Sequence, residues 1–327
     1  MKRREFITLL GGEAAAWPLA ARGQQRAPAV VGLLSSVPFE TRPEQVAAFH
    51  RGLQEAGYVE GHNVGIEYRS ADNQVSRLPA LARDLVSRSV TVIVTIGGDI
   101  TARAAKGATA TIPVVFVIGG DPVQLGLIAT LNRPGGNVTG ISFLVVLTIA
   151  KRLDLLTKMA PMANPIGVLV NPNNPSAESN PKDAQTAAET LGRKLIVVKA
   201  GTEDEIDTAF ATLVREKVGA VLVDADPFFL ARREQVLAWT EAQALPAIYS
   251  FREFAAGGGL MSYGTSLANA YHQAGVYAGR ILNGEKPADV PVVQPTKFEF
   301  VINLTAAKML RLDIPPSLLA LADEVIE

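Results

Sequence analysis

The chain contains no cysteine. That single absence excludes disulfides, a thiol nucleophile, thiolate metal sites and a lipid-attachment thiol. Histidine is nearly as scarce. His50, His62 and His272 are the only three, and they stand far apart in no ligand spacing, so each reads as a surface or capping residue. Charge of one sign is lacking too: 31 basic and 32 acidic residues leave a formal net charge of -1. No basic field exists to hold nucleic acid or an anionic membrane. After residue 25 no apolar run approaches the roughly 20 residues that a membrane span needs. No G-x-x-x-x-G-K-[ST], no G-x-G-x-x-G behind a strand and no G-x-S-x-G is present, so neither a phosphate cradle nor a nucleophile elbow is supported. The inventory favours a module that binds a small molecule, without cofactor or metal, over an enzyme.

What is present begins with an address. Lys2, Arg3 and Arg4 precede a mostly apolar run from Phe6 to Ala20, and small residues then give way to Gln24-Gln25. This is the grammar of an export signal over residues 1–25, and Arg3-Arg4 before Glu5-Phe6-Ile7 gives it a twin-arginine character. Gly11-Gly12 and Pro18 suit a first helix of the fold poorly. The expected product is periplasmic and, lacking the thiol, not lipid-anchored.

About 300 residues remain, enough for two lobes. They say the same thing twice. Short β-branched runs alternate with helical stretches, as in a parallel sheet covered by helices. The first half reads as strands 30–34, 64–68, 90–95 and 113–118 with helices between them. The second repeats the order with strands 166–170, 195–198, 220–223 and 247–249. Thr41-Arg42-Pro43-Glu44 and Thr202-Glu203-Asp204-Glu205 each suggest a capped helix start, and a long helix is expected over 229–243. The halves match at their joints: Ile112-Pro113-Val114-Val115-Phe116 parallels Leu245-Pro246-Ala247-Ile248-Tyr249, and a Gly-rich strand follows each. The expected fold class is α/β: two similar, doubly wound parallel-sheet lobes joined by a three-segment hinge. The first lobe is expected over 26–143 plus 264–288, the second over 144–263 plus 289–327.

In open parallel sheets ligands sit beyond the carboxyl ends of the strands. Those loops offer Ser35-Ser36, Gly97-Gly98-Asp99 and Gly119-Gly120-Asp121 in the first half. The second offers Asn171-Pro172-Asn173-Asn174, Asp224-Ala225-Asp226 and Tyr249-Ser250-Phe251-Arg252-Glu253. Glycine pairs let a ligand approach backbone N–H groups. Asp121 suits an ammonium, Arg252 a carboxylate, and Tyr249 or Tyr263 an apolar or aromatic group. The candidate site is therefore Ser35, Ser36, Gly97, Gly98, Asp121, Asn171, Asn173, Asp224, Tyr249, Arg252 and Tyr263, with Asp224 and Asp226 as a weak acid/base pair. Each has a plainer alternative: helix capping or turn formation for the aspartates, core packing for the aromatics.

Several stretches taken together resemble a family. They are the start MKRREFITLLGG with WPLAARGQQ, Asp121-Pro122-Val123, residues 132–140 (NRPGGNVTG), Arg252-Glu253-Phe254, residues 258–264 (GGLMSYG), residues 284–289 (GEKPAD) and the tail through Ile326. The chain is similar over nearly its whole length to exported ABC-transporter substrate-binding proteins of the tryptophan/tyrosine type. The resemblance implies a type I periplasmic binding fold that closes on a small ligand, often an aromatic amino acid, and docks on a membrane permease powered by a separate ATPase. It departs at Gly120, where that family often has threonine, and at Arg311, where glycine is common. The expected function is an exported, monomeric receptor for an amino acid or related small carboxylate. An exported sensory module that signals to a membrane kinase or chemoreceptor, and an exported hydrolase or isomerase, remain alternatives.

Overall fold

A computed structural model describes residues 29–327 apart from 144, 178 and 296. The expected signal lies outside the described residues. The first lobe runs β1 (Ala29–Ser35), α1 (Pro43–Glu55), β2 (Val64–Ser70), α2 (Leu78–Ser87), β3 (Val92–Thr95), α3 (Asp99–Ala108), β4 (Val114–Ile118) and β5 (Val138–Ser142). The chain then crosses to α4 (Val146–Met159), β6 (Ile166–Val170), α5 (Ser179–Thr190), β7 (Leu195–Lys199), α6 (Glu203–Arg215) and β8 (Ala220–Val223). It continues through α7 (Pro227–Ala231), α8 (Arg233–Ala242), β9 (Ala247–Tyr249), α9 (Arg252–Ala256) and β10 (Met261–Gly264). It returns as α10 (Leu267–Leu282) and crosses again to β11 (Glu299–Asn303), α11 (Leu304–Met309), α12 (Pro316–Leu319) and β12 (Glu324–Ile326).

The first sheet is ordered β2-β1-β3-β4-β5 and the second β12-β11-β10-β9-β8-β6-β7. Reading the second from β7 to β10 reproduces the first strand for strand, so the repetition in the sequence is a repetition of topology. All pairings are parallel except β10 with β11. Helices cover both faces, which is why β3, β4, β6 and β8 are buried throughout and, Thr95 apart, carry no polar side chain, rather than alternating. The outer β2 and β7 are only partly buried.

α10 belongs spatially to the first lobe, where it lies against α1. The two helices approach closely because a Cβ at Gly52 would strike the His272 carbonyl and one at Gly275 the Phe49 carbonyl. Three expectations change here. Thr41 does not cap α1; its hydroxyl donates to the Pro38 carbonyl, and Arg42 occupies the cap position without a side-chain bond. The helix expected over 229–243 breaks at Arg232 into α7 and α8, with Asp226 capping the first piece. Residues 290–293, expected in the second lobe, run beside β5. Thr139 donates to the Val290 carbonyl and Val293 bridges Ile141, because this apolar Pro/Val stretch fills an edge of the first sheet. Among the described residues no helix is long and apolar enough to cross a membrane.

Candidate ligand-binding cleft

The carboxyl ends of the two sheets face each other across a cleft, and hydrogen bonds span it. The Arg42 guanidinium donates to the Pro227 carbonyl of the second lobe at 3.1 Å, and the Gln45 amide donates to the Glu253 carboxylate. Ser176 Oγ donates to Asp99 Oδ2 at 2.7 Å. Gly98, with φ +78, carries no side chain where a Cβ would stand 2.9 Å from Pro227 Cγ. The lobes are closed on one another.

Inside lies a cavity whose walls come from both lobes. Asp99, Gly98, Gly119 and Gly120 line it from the first, Asn174, Ser176, Asn180 and Ala225 from the second. Phe143, Val145, Leu230, Phe251, Leu267 and Tyr271 make much of the rest apolar. Asp99 stands at the first position of α3, and its Oδ1 accepts the N–H groups of Gly119 and Gly120 at 3.1 Å each. The helix N-terminus and these donors favour the anion. Burial outweighs them and raises its pKa. Among the described residues no lysine or arginine forms an ion pair with this carboxylate, and Arg103 opposes the effect of burial only from a distance. Arg42 also lines the cavity. Its NH1 donates to the Ile96 carbonyl and to Tyr271 Oη, while its buried Nε–H has no acceptor among the described residues.

Deeper in the second lobe, the fully buried Arg152 of α4 lies 3.9 Å from Asp224 and donates to the Val223 carbonyl and to Ser250 Oγ. Burial lowers its pKa to about 10 against the opposing pull of Asp224. Asp224 also accepts from Asn180 and the Ala225 N–H. Asp226 accepts from Asn171, Asn174 and the Phe228 N–H, and burial pushes it up to about 6. The two aspartates thus hold different loops in place.

The residues singled out in the sequence fall in four places. Gly98 lines this cavity. Ser36, Gly97, Asn171 and Asn173 line a second, adjoining cavity that shares Asp99, Asn174 and Pro227 with the first. Asp224 stands behind Asn180. The others lie elsewhere. Ser35 is buried at the end of β1, its Oγ donating to the Val37 carbonyl. Asp121 accepts from the N–H groups of Val123 and Gln124, closing its own turn before Pro122. Tyr249 is wholly buried, stacked on Phe254 and bonded to Thr240. Arg252 grips Glu324 on the surface through two bonds, because it opens α9 on the side away from the cavity. Tyr263 packs against Phe298 and Phe300. Arg42, Ser176, Asn180 and Tyr271 were missed. Asn180 and Tyr271 lie within helices rather than strand-end loops, and Arg42 carried the appearance of a helix start.

Known proteins share this two-lobed fold. The profile of the family described as ABC transporter substrate binding protein matches residues 30–326. The tyrosine-binding protein of Clostridioides difficile is 27% identical over 280 residues, 86% of this chain and 80% of that one. A solved ABC domain in complex with L-Trp from Streptococcus pneumoniae is 26% identical, with a TM-score of 0.83 over 92% of this chain and 100% of that one. The ligand-free, open structure of a substrate-binding protein with adhesive properties from Clostridium difficile is also 26% identical, but its TM-score is 0.64 over 91% of this chain and 99% of that one. At equal identity the lobes superpose far better on the L-Trp complex than on the open protein, in keeping with the bonds that span the cleft. The chain belongs to the ABC transporter substrate binding protein family.

Proposed function

We propose that this protein is an exported receptor of an ABC importer, acting as a monomer in the periplasm and closing on an amino acid with an apolar or aromatic side chain. The observation that carries this reading is Asp99, a buried carboxylate held by two backbone N–H groups and a hydroxyl from the opposite lobe, facing a largely apolar cavity with no cation paired to it among the described residues. A ligand ammonium supplies the missing charge. The Arg42 Nε–H offers a donor to the ligand carboxylate, and Phe143, Leu230, Phe251 and Tyr271 flank the side chain. The tyrosine-binding and L-Trp-bound relatives support this ligand class. Because the ligand touches both lobes, its binding free energy favours the closed form that a permease would read.

Thermal unfolding of the mature chain against amino acids and matched acids lacking the amine tests the reading. At about a thousand times its dissociation constant a ligand adds roughly 4 kcal/mol of stability. Tryptophan or tyrosine is expected to raise the midpoint by several degrees and the amine-free acids to leave it unmoved. An equal rise with the amine-free acids removes Asp99 from the role assigned to it.

A further inference from the structure

The closed cleft is divided lengthwise. The cavity described above lies beyond β3, β4 and β5 on one side and β6, β8 and β9 on the other, and one wall is shared: Asp99, Asn174 and Pro227 also line the second cavity. That second space sits between the loops after β1, β2 and β3 and those after β6, β7 and β8, and its lining differs in kind. Asparagines dominate it, with Asn73 from the first lobe and Asn171, Asn173 and Asn174 from the second. Among the described residues no lysine, arginine or histidine lines it, and the titratable groups of its lining are the carboxylates of Asp99 and Asp226.

Two features say what it would accept. An anion entering there meets two aspartates and no cation, so a carboxylate or phosphate is disfavoured by both repulsion and desolvation. Asn73 Oδ1 is buried without a hydrogen-bond partner among the described residues, an acceptor that calls for an N–H or O–H. The amide nitrogens of Asn171 and Asn174 are both committed to Asp226, which fixes the lining rather than leaving it free to adapt. The geometry points to a ligand that continues past the ammonium at Asp99 into this second compartment with a neutral, hydrogen-bond-donating group, an amide N–H or a hydroxyl. The inference rests on the placement of the ammonium at Asp99. It makes the natural ligand larger than a free amino acid, with a neutral end.

Calorimetric titration of the mature chain at neutral pH tests it with four probes: L-tryptophan, L-tryptophyl-glycine with its anionic end, L-tryptophyl-glycinamide with an amide end, and the ethanolamide of L-tryptophan with a hydroxyl end. At least one neutral-ended probe is expected to bind tenfold or more tightly than the carboxylate-ended dipeptide, and which one it is separates amide from hydroxyl recognition. Asn73→Gly removes the acceptor where the backbone, at φ 65, already suits glycine. It is expected to erase that preference while tryptophan affinity stays within twofold. Equal binding of anionic and neutral ends overturns the inference, as does tryptophan binding with every extended probe excluded; the amino-acid reading survives both results. If no probe binds, the placement of the ammonium fails and takes the inference with it.

Discussion

The first lobe carries the tripeptide Gly-Gly-Asp at the ends of two neighbouring strands, and the two copies do opposite work. Gly97-Gly98-Asp99 follows β3 and Gly119-Gly120-Asp121 follows β4. Asp99 begins a ten-residue helix, and its carboxylate turns sideways onto the N–H groups of the other copy, Gly119 and Gly120. One oxygen is thereby left for the opposite lobe and a ligand. Asp121 precedes Pro122, and its carboxylate closes on the next N–H groups along its own turn, Val123 and Gln124. One loop supplies the charge; the other supplies the donors that hold it and the space in which it sits. In both copies the local donors go to Oδ1; what separates them is where the carboxylate stands, since Asp99 lines the cavity and meets Ser176 of the opposite lobe while Asp121 turns back on its own loop.

The difference can be broken from the glycine side. A Cβ at Gly120 would stand 2.5 Å from Asp99 Oδ2 and 2.8 Å from Ser176 Oγ. Gly120→Val is expected to push these groups apart and to weaken ligand binding at least tenfold, about 1.4 kcal/mol, as read by calorimetry. Gly119→Ala is the milder partner, since a Cβ there meets only the Val145 side chain.

A smaller effect concerns stability. Burial raises Asp226 from 3.8 to about 6, and it raises Asp99, Asp224 and Glu253 in the same direction. A carboxyl whose pKa is higher folded than unfolded contributes stability that is fully present below the unfolded value and lost as pH rises through the folded one. Asp226 therefore favours the fold most below about pH 4 and least above about pH 6, a span worth roughly 3 kcal/mol at most. In Asp226→Asn the change in stability between pH 4 and 6, followed by denaturant titration, is expected to be shallower than in the parent. An unchanged slope would show that Asp226 does not titrate there.

The smallest expected effect is at Arg252. Its bond to Glu324 is a surface pair, both partners more than a third exposed, worth about 0–1 kcal/mol. Arg252→Ala is expected to leave ligand affinity unchanged, with at most a slight fall in melting midpoint. A tenfold loss of affinity would return Arg252 to the site.

Much of the fold was legible because parallel strands covered on both faces write themselves as short β-branched runs, as in Val92–Thr95 and Ile166–Val170. The loops that bear the cleft were legible for the same reason, since they follow those runs. Which residue of each loop turns inward was not. Asp99 and Asp121 follow identical glycine pairs, and only the path of the next few residues separates them. Arg252 and Tyr249 stand beside Phe251 in sequence, yet Phe251 alone lines the cavity while one neighbour packs in the core and the other faces Glu324. Arg42 and Tyr271 come together only through the return of α10 onto α1, 229 residues apart in the chain. No local pattern announces such a contact.

The most direct measurement is the affinity of the mature chain for tryptophan and tyrosine in Asp99→Asn set beside Asp121→Asn. Loss of a charge partner buried in an interface costs about 2–5 kcal/mol, so Asp99→Asn is expected to weaken binding at least thirtyfold. Asp121→Asn, which keeps an acceptor oxygen for its own turn, is expected to bind as the parent does. Equal losses in both variants, or a loss confined to Asp121→Asn, would contradict the assignment of the ligand ammonium to Asp99.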